Sequence, residues 1–192
     1  MGSNYLTNPA VFLIQTLFGL YILAVLLRFL LQLVRADFYN PISQFLVKVT
    51  APPLKILRRI IPGFGGVDLA SLLLIWGLKY IELLLIIIVT GMTANVFAPL
   101  LWAIPELVEL LFNIYLFGVL IQVILSWINP GAHNPVSALL YSLTEPVMRP
   151  ARNILPPVSG LDLSPMLVMI GLVLLKMLLL PPLRVITGSP FT

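Results

Sequence analysis

Six ionisable side chains fall inside stretches otherwise built from leucine, isoleucine, valine and phenylalanine: Arg28, Lys79, Glu82, Glu106, Glu109 and Lys176. Charged groups are costly in hydrocarbon, so each is a functional hypothesis until a partner is found for it. They could relay protons, line a cation path, close structural ion pairs or hold another membrane protein. Structural pairing has the most local support. Lys79 and Glu82 stand three apart, where two helical side chains share a face. Arg28 lies within two turns of the end of its stretch and can snorkel toward headgroups. Glu106 and Glu109 suit the first turns of a helix, where the dipole favours acids.

Other chemistry has little to work with. The chain has no Cys, which removes disulfides, thiolate nucleophiles and Cys-based zinc sites together. One histidine, His133, cannot build a His-only metal cluster and reads as a solvated or headgroup-contacting loop residue. No phosphate-binding Gly-rich loop, dinucleotide turn, zinc-protease helix or Ser/His/Asp set is present. No catalytic residue, metal or cofactor is expected, and the chain does not read as an enzyme.

Of the 192 residues, 60% are hydrophobic and 9% charged, with mean hydropathy +1.08. A soluble domain carries roughly a quarter charged residues, so the bilayer is the natural solvent. Four stretches, about 10–34, 69–90, 105–128 and 163–183, are long enough for about 30 Å of hydrocarbon. Without water to satisfy the backbone, these must be helices. Pro181-Pro182 is expected to kink or end the last one. Met1 to Pro9 carries no Lys or Arg, so the first stretch lacks the basic flank of a cleaved signal and is expected to be retained. Trp76, Trp102 and Trp127 read as core or interface anchors.

A gapless offset of 94 residues lays the chain on itself. It matches Asn40-Pro41 with Asn134-Pro135, Ser43 with Ser137, Thr50 with Thr144 and Pro52 with Pro146. It continues through Arg58/Arg152, Pro62/Pro156, Gly66/Gly160 and Asp68/Asp162, far beyond chance. The chain is therefore a duplication. Its first copy is 1–90, its connector 91–104 and its second copy 105–192, with the third helix expected to start at Pro105. The fold class is all-α membrane protein: four transmembrane helices in two parallel tandem repeats, each reading span, interfacial helices, span. An even number of spans per copy makes the copies parallel. The offset also sets Glu82 against Lys176 at one depth. An attraction between them across the copies is expected, with Lys79 and Glu109 as alternates.

The interfacial segments, 40–61 and 134–155, repeat best. Asn40 and Asn134 read as helix N-caps, each with Pro at the first helical position. Ile42, Phe45, Leu46 and Val49 fall on one helical face, as do Val136, Leu139, Leu140 and Leu143. Pro52 and Pro146 are expected to break these helices, with Thr50 and Thr144 capping a second piece. There Leu54, Leu57, Ile60 and Ile61 oppose Lys55, Arg58 and Arg59, and Met148, Ile154 and Leu155 oppose Arg149 and Arg152. Short helices with one basic face lie in the headgroup plane. Gly66 and Gly160 then allow a left-handed turn, and Asp68 and Asp162 cap the incoming spans. A symmetrical ion site at the two aspartates is the alternative, but capping alone explains the spacing.

Seven cations lie in or beside the interfacial segments: Arg35, Lys48, Lys55, Arg58, Arg59, Arg149 and Arg152. Only Arg184 lies on the other side. By the positive-inside rule the segments are cytoplasmic and both termini lie outside. Residues 35–45 (Arg-Ala-Asp-Phe-Tyr-Asn-Pro-Ile-Ser-Gln-Phe), Arg58-Arg59-Ile-Ile-Pro and Gly66-Val-Asp-Leu-Ala-Ser resemble the bacterial YggT family. Ser126-Trp127, Asn134-Pro135, Pro146 through Arg152 and Asp162-Leu-Ser-Pro resemble the second occurrence of the same motif. The resemblance covers about 10–185. It implies a small multipass protein of a Gram-negative bacterium, connected with osmotic and extracytoplasmic stress and cation homeostasis. The plastid YlmG-like relatives imply roles in membrane-complex assembly and nucleoid organisation. No catalytic residue is carried over.

Two functions follow. In the first, a non-catalytic organiser uses Lys55, Arg58, Arg59, Arg149 and Arg152 to hold anionic lipid headgroups or a membrane-protein partner. In the second, an oligomer conducts a cation past the intramembrane charges. The motifs gather at the cytoplasmic surface, which favours the organiser. No direct nucleic-acid contact is expected.

Overall fold

The computed structural model describes residues 3–128, 134–155 and 162–191, with side chains from Thr7 onward. Pro156, Gly160 and His133 therefore lie outside the described residues. Six helices follow in order: α1 (Ser3–Leu33), α2 (Pro41–Ile60), α3 (Leu69–Thr90), α4 (Ala98–Ile128), α5 (Pro135–Ile154) and α6 (Ser164–Thr187). Among the described residues the only β pairing is a single bridge between Phe64 and Val67. α1, α3, α4 and α6 are long and apolar enough to cross a membrane.

Within the first copy α1 packs on α3, and within the second α4 packs on α6. α3 against α4 joins the copies, and α5 reaches α1 and α2. The main core lies along α1, where Ile22, Val25, Leu26, Phe29 and Leu30 meet Leu46 of α2, Ile75 of α3 and Leu139 and Leu143 of α5. A second cluster joins Val119 of α4, Met148 and Ala151 of α5, and Val168 and Leu172 of α6.

Helix ends depart from the expectations in three places. α1 starts at Ser3 rather than near residue 10. α4 starts at Ala98 and not at Pro105, so the connector shortens to 91–97. Asn95 starts it by accepting from the Phe97 amide at 3.0 Å, and Trp76 Nε1 ties down the Leu100 carbonyl at 2.9 Å. Pro105 then sits fully buried in the helix, and Glu106 and Glu109 lie beyond its first turns. α6 runs through Pro181-Pro182 to Thr187 and ends on Gly188, whose φ of +64° supplies the left-handed stop.

α2 and α5 are each one continuous helix, and the break expected at Pro52 and Pro146 is absent. Proline in a helix frees the carbonyl four residues back. The carbonyl freed by Pro53 is that of Val49, and it accepts from the Tyr21 hydroxyl at 3.4 Å. Thr50 and Thr144 do not cap a second piece. Both are fully buried inside their helices, and their hydroxyls return to Leu46 and Leu140 carbonyls at 2.6 and 2.8 Å. The buried face of α2 is also rotated from the predicted one. Ser43, Leu46, Thr50 and Leu54 point inward, whereas Phe45 is 62% exposed and Ile60 74%. On α5 Leu139, Leu143 and Met148 face inward, while Val136 and Ile154 are exposed.

Candidate functional site

The described ionisable residues form two groups, one among the spans and one at the junctions between spans and inter-span helices. In the first, Lys79 Nζ lies 3.0 Å from Glu82, and Lys176 Nζ lies 2.8 Å from Glu109 and 2.9 Å from Asn113 Oδ1. Arg184 donates to Glu109 at 2.6 Å and comes within 4.0 Å of Glu106. Three cations thus face three acids. The expected Glu82–Lys176 attraction does not form: Glu82 is taken by Lys79 and Lys176 by Glu109 of α4, the helix on which α3 and α6 each pack. Beside Glu82, Glu106 and Glu109 lies a hollow of about 300 Å³, also lined by Lys79 and Asn113.

At the junctions the two copies repeat one device. Asn40 caps α2 by accepting from the Ile42 amide at 2.9 Å, and Asn134 caps α5 by accepting from the Ser137 amide at 2.8 Å. Asn40 also donates from Nδ2 to the Pro135 carbonyl at 2.7 Å, joining the Asn-Pro turns of the two copies. The end of each inter-span helix is clamped to the start of the next span. Arg58 pairs with Asp68, Nε at 3.2 Å, and Arg152 with Asp162, Nε at 3.4 Å. Asp68 further caps α3 by accepting from the Ser71 amide at 3.4 Å, and it also accepts from the Ser71 hydroxyl at 2.6 Å. Asp162 accepts from the Ser164 amide at 2.9 Å, one residue before the helix boundary at Leu163. Burial alone would raise the Asp68 carboxyl, but Arg58 and Ser71 hold it below its ordinary value. Asp162 is lowered in the same way, against burial, by Ser164 and Arg152.

The turn preceding α3 requires glycine at Gly66, whose φ is +84°. A third repeated contact joins span to inter-span helix: Arg28 donates to the Thr50 hydroxyl at 2.7 Å, and its counterpart Gln122 meets Thr144. Arg28 therefore does more than snorkel; it ties α1 to α2.

The copies differ sharply in charge. From Arg28 to Asp68 the sequence holds six cations (Arg28, Arg35, Lys48, Lys55, Arg58, Arg59) against Asp37 and Asp68. The matching stretch of the second copy balances Arg149 and Arg152 against Glu145 and Asp162, and Glu145 pairs with Arg152 at 2.8 Å. With the span charges balanced, the whole formal charge of +4 sits at the junction of the first copy. Two hollows flank Arg28 and Arg58 there. One, about 370 Å³, is lined by Ala51, Lys55 and Arg59 in addition. The other, about 660 Å³, lies between α1, α2 and the turn before α3. Lys55, Arg59 and Arg149 are exposed, while Arg58 and Arg152 reach inward to their aspartates. Ser43, Arg35 and the charge difference between copies are features that reading each motif separately passes over. Tallying charge copy by copy reveals the last of them.

These features define an all-helical protein with four membrane-length helices and a duplicated junction. The chain belongs to the CCB3/YggT family, whose sequence model matches residues 7–89 and again 101–183, the same 94 residues apart. It is similar to an uncharacterised protein of Pseudomonas aeruginosa, 46% identical over 96% of this chain and 95% of that protein. It is also similar to an uncharacterised Vibrio alginolyticus protein, 41% identical over 86% of this chain and 90% of that one. The uncharacterised protein YggT of Escherichia coli is 38% identical over 88% of each chain. No solved structure matches.

Proposed function

We propose that this protein is a non-catalytic organiser of the bacterial inner membrane, whose inter-span helices lie in the cytoplasmic headgroup layer and engage anionic lipid. In this reading the copies are parallel and both termini are periplasmic. The observation that carries it is the concentration of the net charge at one junction, with Lys55 and Arg59 exposed beside outward-facing Phe45, Ile56 and Ile60. Apolar side chains that leave the core on a basic helix suit the boundary between acyl chains and headgroups. Each Lys or Arg near an anionic surface contributes about 1 kcal/mol. Changing Lys55, Arg59 and Arg149 to Gln is therefore expected to lower phosphatidylglycerol and cardiolipin co-purification at least tenfold without impairing insertion. Undiminished retention would turn the organiser reading toward a protein partner.

The orientation has its own test. Cysteines introduced at Ser3, Gln44, Ala138 and Ser189 are to be probed with an impermeant thiol reagent on spheroplasts. Gln44 and Ala138 are exposed, whereas Ser43 is buried and would label poorly from either side. Labelling is expected at Ser3→Cys and Ser189→Cys alone; labelling of Gln44→Cys from outside reverses the topology.

A second reading, a cation path through an oligomer, draws on the hollow beside Glu82, Glu106 and Glu109. Its support is weaker because the acids there are matched by Lys79, Lys176 and Arg184. Cation flux into proteoliposomes of the purified protein decides between the two.

A further inference from the structure

The larger hollow of the first copy has features that a general basic surface does not need. Its lining includes Arg28, Arg35 and Arg58, with Asp68 the only acid among them. The walls between these charges are apolar, formed by Leu31, Leu46 and Phe38 among others. Ser43 lines the same hollow. It is 7% exposed, and among the described residues its hydroxyl oxygen has no hydrogen-bond partner. A buried hydroxyl left unpaired costs about 1–3 kcal/mol, so its persistence calls for a ligand that satisfies it. The counterpart Ser137 is not in this position, because its hydroxyl donates to and accepts from the Asn134 backbone.

Arg35 adds an independent sign. It holds φ at +54°, the left-handed position at the end of α1 where Ala36 closes back on the Leu31 carbonyl at 2.9 Å. Glycine would take this position without strain. An arginine kept there is a strained residue at a candidate site, and such strain concentrates at ligand clamps. In the sequence the second copy has the neutral residues Gln122 and Asn129 where the first has Arg28 and Arg35.

We propose that the hollow between α1, α2 and the turn before α3 binds a phosphate group, held by Arg28, Arg35 and Arg58 with the Ser43 hydroxyl donating to one of its oxygens. Three arginines lining one hollow suit the several oxygens of a phosphate, each guanidinium carrying donors beyond those that Arg58 gives Asp68 and Arg28 gives Thr50. A phosphodiester with its acyl chains against the apolar wall fits this lining better than a free ion does. The site thus deepens the organiser reading on which it rests, by making the first copy a specific phospholipid receptor and not only a charged surface.

The test uses the full chain in phosphatidylcholine nanodiscs doped with phosphatidylglycerol, read by lipid retention in native mass spectrometry and by thermal midpoint. Arg28→Gln with Arg35→Asn installs the residues of the second copy and is expected to weaken phosphatidylglycerol binding about thirtyfold. Ser43→Ala is expected to raise the midpoint in pure phosphatidylcholine, by removing an unpaired hydroxyl, and to weaken phosphatidylglycerol binding about tenfold. Lys55→Gln with Arg59→Gln, outside this hollow, should weaken only a salt-sensitive component. Loss in that control with full retention in the other variants overturns the site and leaves the organiser reading standing. Loss in Ser43→Ala and the double arginine variant with an unaffected control keeps the site and removes the broader surface reading. Inorganic phosphate added to pure phosphatidylcholine nanodiscs separates the sources. A raised midpoint with displacement of phosphatidylglycerol identifies free phosphate as the occupant, and no shift identifies the lipid.

Discussion

Replacing Lys79 alone or Glu82 alone by leucine is expected to destabilise the protein by about 3–5 kcal/mol, while replacing both returns most of the loss. The two charges lie 3.0 Å apart, with side chains only 13% and 4% exposed. Taking away one leaves the other uncompensated where screening is weak and solvation poor, and the cost is that of the orphan. Leucine at both positions removes the desolvation cost together with the attraction. The same logic predicts a different result for Glu82→Leu combined with Lys176→Leu. These residues belong to separate pairs, Lys176 meeting Glu109 at 2.8 Å, so their single losses should add. Unfolding in mild detergent by titration with dodecyl sulfate gives all the free energies on one scale. Recovery in the Glu82/Lys176 double variant but not in the Lys79/Glu82 one would overturn the pairing.

That contrast shows where reading along the chain succeeds. Local order is legible because its causes are local: Asn-Pro starts both inter-span helices, and the 94-residue offset places α5 on α2 residue for residue. Lys79 and Glu82 pair because three residues of helix bring them together, whatever the rest does. Proline misleads because its cost depends on what takes up the freed carbonyl. At Pro53 the acceptor left over is met by Tyr21, 28 residues away from Val49, which no local pattern displays. The inward face of α2 was rotated for a related reason: Phe45 and Val49 can face acyl chains, so apolarity does not mark the protein core in a membrane chain. The offset sets Glu82 against Lys176 but carries nothing of α4, on which both of their helices pack and whose Glu109 takes Lys176. The arginine–aspartate clamps are not legible along the chain, because a basic helix face suits lipid headgroups whether or not one of its arginines pairs elsewhere. Ser43 carries no sequence signal at all, since its identity is shared with Ser137 and only its surroundings differ.

Asp68→Ala is expected to cost about 2–3 kcal/mol, and Asp162→Ala about 1 kcal/mol, although the two aspartates occupy the same place in the repeat. Asp68 is buried and does two things: it caps α3 by accepting from the Ser71 amide, and it fixes Arg58 at the end of α2. Losing a cap costs about 0.5–2 kcal/mol. The ion pair adds less than a fully buried one would, because Arg58 keeps 39% of its side chain in contact with solvent. Asp162 is 35% exposed, and Arg152 retains Glu145 at 2.8 Å when it is removed. Asp68→Asn should fall between wild type and alanine, since the amide oxygen can still accept from Ser71 while the charge facing Arg58 is gone. The acid limb of stability provides a separate check. The folded Asp68 carboxyl titrates below its unfolded value, so the folded state binds fewer protons in that window. Its contribution is therefore complete above the unfolded pKa, about 4 for an aspartate, and is lost as pH falls through the lower folded value. Thermal midpoints measured from pH 6 down to pH 3 should drop for the wild type below about pH 4 and drop less for Asp68→Asn. An equal acid slope in the two proteins would show that the clamp between the inter-span helix and α3 does not depend on this charge.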